Sequence, residues 1–305
     1  MSSQQMDDTI RDYKIVAVVV TYNRLTLLQE CIQSLRNQTR KLDEIIIVNN
    51  SSTDGTFEWL NKQEDLTVIT QENSGSAGGQ HTGIKTAYEK GYDWIWCMDD
   101  DCRVSEYALS ELVKHIQPNT VINCLVVSKS NPQKLAFGLY DLKEKIFYED
   151  YIDAKKKDCI DYASLFNGTL LPSQLVEKIG LPIQELFIKG DEIEYFHRIK
   201  RNKFITKTIP TSLLYHPTPK IKIIKTILFN HRFEFLDSIR RYYRARNFIL
   251  NYKKYHNFSL KTFTKFLLLD IYGIIFYQKN FRILLSNIKG LMKGLIVNYE
   301  IKFPG

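Results

Sequence analysis

Long hydrophobic runs are missing from this 305-residue chain. Its longest apolar tract, Phe266 to Tyr277, is too short to span a bilayer and carries Asp270, so no transmembrane helix is expected. The opening MSSQQMDDTIRDYK lacks the basic and then apolar regions of a secretory signal. Cysteine is also scarce: Cys31, Cys97, Cys102, Cys124 and Cys159 are odd in number and form no C-x-x-C pair, which argues against a disulfide framework and a zinc site. A reducing cytoplasm fits that usage. Acidic residues run short in one region only. From Lys220 onward 17 Lys and Arg stand against 4 Asp and Glu, whereas residues 1–219 hold 25 against 30. The net charge of +8 therefore belongs to the tail, and a basic tail on an acidic body is expected to meet an anionic surface.

What is present suits a globular protein, with 44% hydrophobic and 25% charged residues. The β-branched run IVAVVV at 15–20 precedes LTLLQECIQSL, whose Leu27, Leu28, Cys31, Ile32 and Leu35 fall at helical spacing, and IIIV follows at 45–48. Strand, helix, strand at this spacing predicts a βαβ unit. The alternation continues through TFEWLNK, LTVIT, a Gly-rich connection at 72–83 that opens a helix, and DWIWCM, then VINCLVV and a hairpin-like stretch at 135–150. The fold class is α/β, an open doubly wound sheet. FNGTLLPSQLVEKIGLP reads as loop, helix and turn, FITKTIPTSLLYHP as short strands, and the tail from about 220 as helical. The expected organisation is a leader at 1–14, a catalytic domain at 15–219 and a basic helical region at 220–305.

Ligands in such sheets bind beyond the carboxyl ends of the strands. TYNR at 21–24, NNSSTDGT at 49–56 and the triplet Asp99, Asp100, Asp101 all fall there. Three adjacent carboxylates repel one another unless a cation offsets them. Asp99 and Asp101 alternate about a strand end and can share a divalent Mn²⁺ or Mg²⁺ whose shell phosphates complete; a solvated acidic turn is the bland alternative. His216, before a proline at the end of an apolar run, is a candidate third ligand. The connection ENSGSAGGQHTG offers close backbone approach to phosphate through Asn73, Gly75, Gly78 and Gly79, but it lacks a Walker lysine. Asp191, Glu192 and Glu194 open a helix, where they either cap it or supply a general base.

The order VVVTYNR, EIIIVNNSSTDGT, ENSGSAGG, MDDD, FNGTLLPSQLVEKIG, FIKGDEIEY and YHP resembles the family 2 inverting glycosyltransferases of GT-A fold, most of all bacterial galactofuranosyltransferases. The resemblance implies that Thr21, Tyr22, Asn49 and Asn50 border the nucleotide, with Asn23, Arg24 and Asp100 among the donor-binding residues. It implies that Asp99, Asp101 and His216 hold the metal, and that Glu192, or else Asp191, is the base. The implied reaction moves a sugar, first galactofuranose from UDP-galactofuranose and then rhamnose or another hexose, to a cell-surface or lipid-linked glycan. The chain departs from the family at Asn49, where an aspartate is usual, and at Gln80, His81 and Thr82, where an aromatic and an arginine are.

In the tail, SIRRYYRARNFILNYKKY sets Ile239, Tyr242, Tyr243, Phe248, Ile249 and Leu250 among Arg and Lys, the composition of a helix lying at the inner face of the cytoplasmic membrane. Packing on the catalytic domain is the alternative; nucleic acid is disfavoured because no binding motif is visible. Two rivals come from other classes. A sugar nucleotidyltransferase would need a basic Gly-rich loop after the first strand, which TYNRLTLL is not. A noncatalytic glycan- or membrane-binding descendant would lack a metal or base position, and none is lacking.

Overall fold

The computed structural model describes residues 13–225, 230–255 and 259–304. Most of the expected leader lies outside them. Two compact units emerge: the described parts of Met1–Glu185, Tyr195–Thr218 and Ile301–Gly305 form the first, and Leu186–Glu194 with Pro219–Glu300 the second.

In the first unit the β-branched run is buried throughout and forms β1 (Ile15–Thr21). Helix α1 (Leu25–Arg36) buries Leu28, Cys31, Ile32 and Leu35, the stripe its spacing predicts. Strand β2 (Glu44–Asn49) runs parallel to β1 with Asn49 beside Thr21. After α2 (Thr56–Leu60), β3 (Thr67–Thr70) joins the outer side of β2. Helix α3 (Gly75–Glu89) leads to β4 (Trp94–Asp99), parallel to β1 on its other side, with Asp99 opposite Val20. Thr21, Asn49 and Asp99 thus stand near one level at the carboxyl edge.

The sheet continues through β5 (Arg103–Val104), α4 (Ala108–Val113), β6 (Thr120–Ser128), the hairpin of β7 (Lys134–Tyr140) and β8 (Phe147–Asp150), and α5 (Tyr151–Ala154). Next come β9 (Asn167–Pro172), α6 (Ser173–Ile179), α7 (Asp191–Arg201), of which the part from Tyr195 onward belongs to this unit, and β10 (Ile205–His216). The strand order is β3-β2-β1-β4-β9-β6-β10-β5, with β7 and β8 branching from β6.

Three local expectations change. The stretch at 167–172, read as loop, is an interior strand antiparallel to both β4 and β6. Its Gly168 has φ near +73°, a turn-like signal at the start of a strand whose Leu170 and Leu171 are fully buried. The segment ending at His216 is one strand, with Pro210 absorbed where the register skips between Ile209 and Leu213. The Gly-rich connection is helical from Gly75. A β-carbon on Gly79 would come 2.2 Å from Val20 Cγ1, and one on Gly83 2.3 Å from Val18 Cγ1. These glycines let α3 settle onto β1. Gly79→Ala should therefore overpack that contact and cost about 1–3 kcal/mol, read as a lower urea midpoint at unchanged slope. An unchanged midpoint would contradict the close approach.

In the second unit the tail is not helical throughout. Strands β11 (Ile221–Lys225) and β12 (Asn230–Glu234) pair antiparallel. They precede α8 (Ser238–Tyr255), α9 (Leu260–Gly273), a π-helical turn (Ile274–Gln278) and α10 (Phe281–Ile296). Helix α8, whose composition suggested a lipid-facing surface, instead fills the unit's interior. Arg241 is fully buried, bonding Asp270 at 2.9 Å and the Glu234 carbonyl at 2.5 Å, while Arg244 takes the other Asp270 oxygen at 2.7 Å. Burial opposes ionisation of Asp270, but the two guanidiniums outweigh it and hold the carboxyl below its ordinary range. Ile249 and Leu250 are buried too, whereas Ile239 is exposed. Among the described residues no helix is long and apolar enough to cross a membrane.

Candidate active site

At the carboxyl edge of the first unit, the three polar clusters foreseen from the sequence meet through named bonds. Thr21 Oγ1 donates to Asp100 Oδ2 at 2.8 Å, and the Tyr22 amide approaches the same oxygen at 3.4 Å. Asn23, in a left-handed conformation at φ 52°, donates its amide to Ser52 Oγ and accepts from the Thr53 amide. The two loops following β1 and β2 are thereby stitched together. Asn49 is buried with Oδ1 bonded to the Ser52 amide, and buried Asn50 donates to the Gly75 carbonyl. Asn73 accepts from the Gly75 amide and so opens α3. Gly78 lies inside that helix, where a β-carbon would meet Ser74, and Gly79 faces β1. Tyr22 alone among the residues expected at the base is largely open, 47% exposed.

The aspartate triplet splits into three environments. Asp100 turns inward to Thr21; burial raises its pKa although Arg24 and the Thr21 hydroxyl oppose the shift. Arg24, expected beside the nucleotide, forks between Asp100 Oδ1 at 3.1 Å and Asp101 Oδ2 at 2.7 Å. Asp99 is pushed up to about 7, first by desolvation and then by the charges of Asp101 and Asp100. Asp101 goes the other way, down to about 2: burial resists, but the approach of His216 and the charge of Arg24 prevail.

His216 closes the group from the end of β10. Its Nε2 lies 3.0 Å from Asp101 Oδ1, its Nδ1 is 2.6 Å from the Pro217 carbonyl, and the Phe137 ring packs on it at 4.7 Å. Burial opposes a charged ring at His216, but the Asp101 carboxylate outweighs it and raises the imidazole pKa, so a protonated Nε2 faces Asp101 and a divalent cation would take that proton's place. Asp101 Oδ1 is buried without a well-aligned hydrogen bond. Two oxygen-bearing groups and an imidazole in this state suit a divalent ion chemically. Among the described residues, however, no three His, Cys, Asp or Glu side chains are gathered closely enough to hold one unaided.

In the second unit, the chain entering α7 is held by asparagines of α8. Asn247 Nδ2 lies within 2.7–3.1 Å of the carbonyls of Leu186, Ile188 and Lys189, and Asn251 Nδ2 donates to the Gly190 carbonyl at 2.9 Å. Gly190 at φ +101° makes the sharp turn into the helix. Glu192 is half-buried and caps the helix through Oε2 on the Gly190 amide, leaving Oε1 outside that bond. Asp191 is buried. Glu194 is engaged by Lys254 at 2.9 Å and the Tyr255 hydroxyl at 2.6 Å.

Several organising residues escape a reading of motifs. Gln71, one residue past β3, donates to Asn50 Oδ1 and Ser74 Oγ and accepts from Thr82. Its position after a parallel strand was the available signal. Phe137 carried none, because a strand aromatic is ordinarily core. Gln80 and His81 are buried in α3, with Gln80 donating to the Met98 carbonyl and His81 Nδ1 lying 2.7 Å from the Pro182 carbonyl.

Comparison with known proteins adds four findings. The sequence signature described as glycosyl transferase family 2 matches residues 16–170. The galactofuranosyltransferase GlfT1 of Mycolicibacterium smegmatis is 32% identical over 213 residues, covering 67% of this chain and 70% of that protein. The dTDP-rhamnosyl transferase RfbF of Shigella flexneri is 25% identical over 262 residues, 79% of this chain and 81% of the other. In fold, the chain is similar to GalNAc-T7 solved with UDP, GalNAc and Mn²⁺, at TM-score 0.58 and 16% identity, covering 84% of this chain and 55% of that one.

Proposed function

The chain belongs to glycosyl transferase family 2 and is a glycosyltransferase of GT-A fold, and on that premise we propose that it moves galactofuranose from UDP-galactofuranose to a lipid-linked glycan with inversion. The observation carrying the chemistry is the convergence of Arg24, Asp101 and His216 at the carboxyl edge of the sheet. Similarity to a galactofuranosyltransferase over two thirds of the chain supports the donor.

In this reading Tyr22, Asn49, Asn50 and the turn at Asn73 and Gly75 shape the nucleotide site, and Asp100 braces it from below. Asp99, Asp101 and His216 would hold Mn²⁺ or Mg²⁺, which supplies countercharge for the departing diphosphate. Arg24 keeps Asp101 ionised and aimed. Glu192, through Oε1, takes the proton from an acceptor hydroxyl as that oxygen attacks the anomeric carbon opposite the leaving group. One displacement inverts the configuration. The acceptor brings the enzyme to the cytoplasmic face of a membrane.

Rhamnose from dTDP-rhamnose is the second reading, favoured by the similarity to RfbF over most of the chain. A panel of nucleotide sugars with Mn²⁺ or Mg²⁺, followed by release of nucleoside diphosphate, separates them. Turnover of UDP-galactofuranose that EDTA abolishes is expected. Turnover of dTDP-rhamnose alone selects the second reading, and no turnover of any donor in the presence of bacterial lipid extract would sink both.

A further inference from the structure

Helix α10 turns an apolar face to solvent. Phe281, Leu285, Ile288, Met292, Leu295 and Ile296 are all exposed, from 41% at Leu285 and Ile288 to 76% at Ile296. Steps of four and three residues from Phe281 to Leu295, with Ile296 next to it, set them within an arc of about 100° along one side of the helix. A surface helix of a globular protein normally points such a stripe inward.

The orientation is fixed by the opposite face. Ile283, Asn287, Gly290 and Gly294 are buried there. A β-carbon on Gly290 would stand 2.2 Å from the Tyr242 carbonyl oxygen, and one on Gly294 2.6 Å from that of Arg246. Only glycine permits this approach to α8, so α10 cannot rotate to hide its stripe without breaking it. Asn280 caps the helix start by accepting from the Ile283 amide at 3.3 Å.

Charge identifies the occupant. Helix α10 contains no Asp or Glu, and Arg282, Lys289 and Lys293, all exposed, run along one edge of the stripe. None of the three has an ion-pair partner among the described residues. A second copy of this chain would bring the same uncompensated cations, whereas an anionic bilayer offers phosphates to them and a hydrocarbon boundary to the stripe. We propose that the exposed face of α10 lies in the plane of an anionic lipid surface and is the docking site of this protein on its membrane. The inference rests on the lipid-linked acceptor reading above and assigns it a surface different from the α8 composition that first suggested one.

The test is flotation of the full chain with vesicles of phosphatidylcholine, with and without phosphatidylglycerol. Wild type is compared with a triple variant, Phe281→Ser, Met292→Ser and Leu295→Ser, and with a double variant, Lys289→Glu and Lys293→Glu. These positions are exposed, so urea midpoints should match wild type. Binding should be at least ~10-fold tighter to the anionic vesicles, and each variant should lose at least ~10-fold. Equal binding by the triple variant, or indifference of wild type to anionic lipid, overturns the proposal. So does a wild-type dimer that the triple variant splits, with no vesicle binding, because a second copy then covers the stripe. Donor hydrolysis without vesicles is measured in parallel. Vesicle binding without hydrolysis would support the surface while removing the enzymatic reading, and hydrolysis without vesicle binding would do the reverse.

Discussion

Asp101→Asn is expected to lower kcat/KM for sugar transfer by roughly 10³-fold, a loss of about 4 kcal/mol of transition-state stabilisation. Asp101 stands between two positive or potentially positive partners, Arg24 at 2.7 Å and His216 at 3.0 Å, and is the most strongly ionised member of its triplet. An amide keeps the shape but removes the charge that would draw a divalent ion. The adjacent Asp99, held near 7, does not replace it, because its own ionisation is opposed by desolvation. Excess Mn²⁺ should restore part of the activity if metal affinity is what was lost. A variant within threefold of wild type, with normal circular dichroism, would remove Asp101 from the reacting centre.

Glu192→Gln should lower kcat by about 10²–10⁴-fold, the usual contribution of a positioned general base, with the donor KM changed little. The glutamine oxygen can still accept from the Gly190 amide, so the helix start should persist while the proton acceptor is lost. Two neighbours serve as controls. Asp191→Asn should act mainly if that buried carboxyl is the base, and then Glu192→Gln would retain activity. Glu194→Gln should lower stability instead, since it weakens the contacts from Lys254 and Tyr255. Full activity in both Asp191→Asn and Glu192→Gln would refute a base at the start of α7.

The parallel half of the sheet was legible because continuous buried strands and a 3.6-residue helix stripe leave distinct patterns, as in Val16–Val20 and Leu28–Leu35. The candidate residues at strand ends were legible for the same reason: position at the carboxyl edge follows from strand assignment. Strand β9 was not, because Asn167, Gly168 and Pro172 are turn residues by composition, and only the neighbours β4 and β6 supply its ladder. The helical start at Gly75 was hidden likewise; Gly79 and Gly83 are there for Val20 and Val18 of β1, which lie more than fifty residues earlier in sequence. The tail was misleading on composition alone. Arg241 and Arg246 count as surface charge in a sequence, yet both are buried, and the exposed apolar stripe lies on α10, where the sequence carries fewer cations.

The place of β10 in the sheet bears on how the molecule is built. Strands β1 to β4 come from one contiguous stretch and can pair as soon as it is made, but the paired residues of β10 and β6, such as His216 and Ser128, lie more than eighty positions apart in sequence. His216 is the last residue of that late strand. On the growing polypeptide, the aspartate triplet therefore has Arg24 as its partner before its imidazole arrives. Such distant pairings form slowly. Refolding should accordingly proceed in two stages, with tryptophan burial around Trp94 and Trp96 preceding recovery of nucleotide-sugar turnover, and the interval between them sets how soon a newly made chain becomes competent.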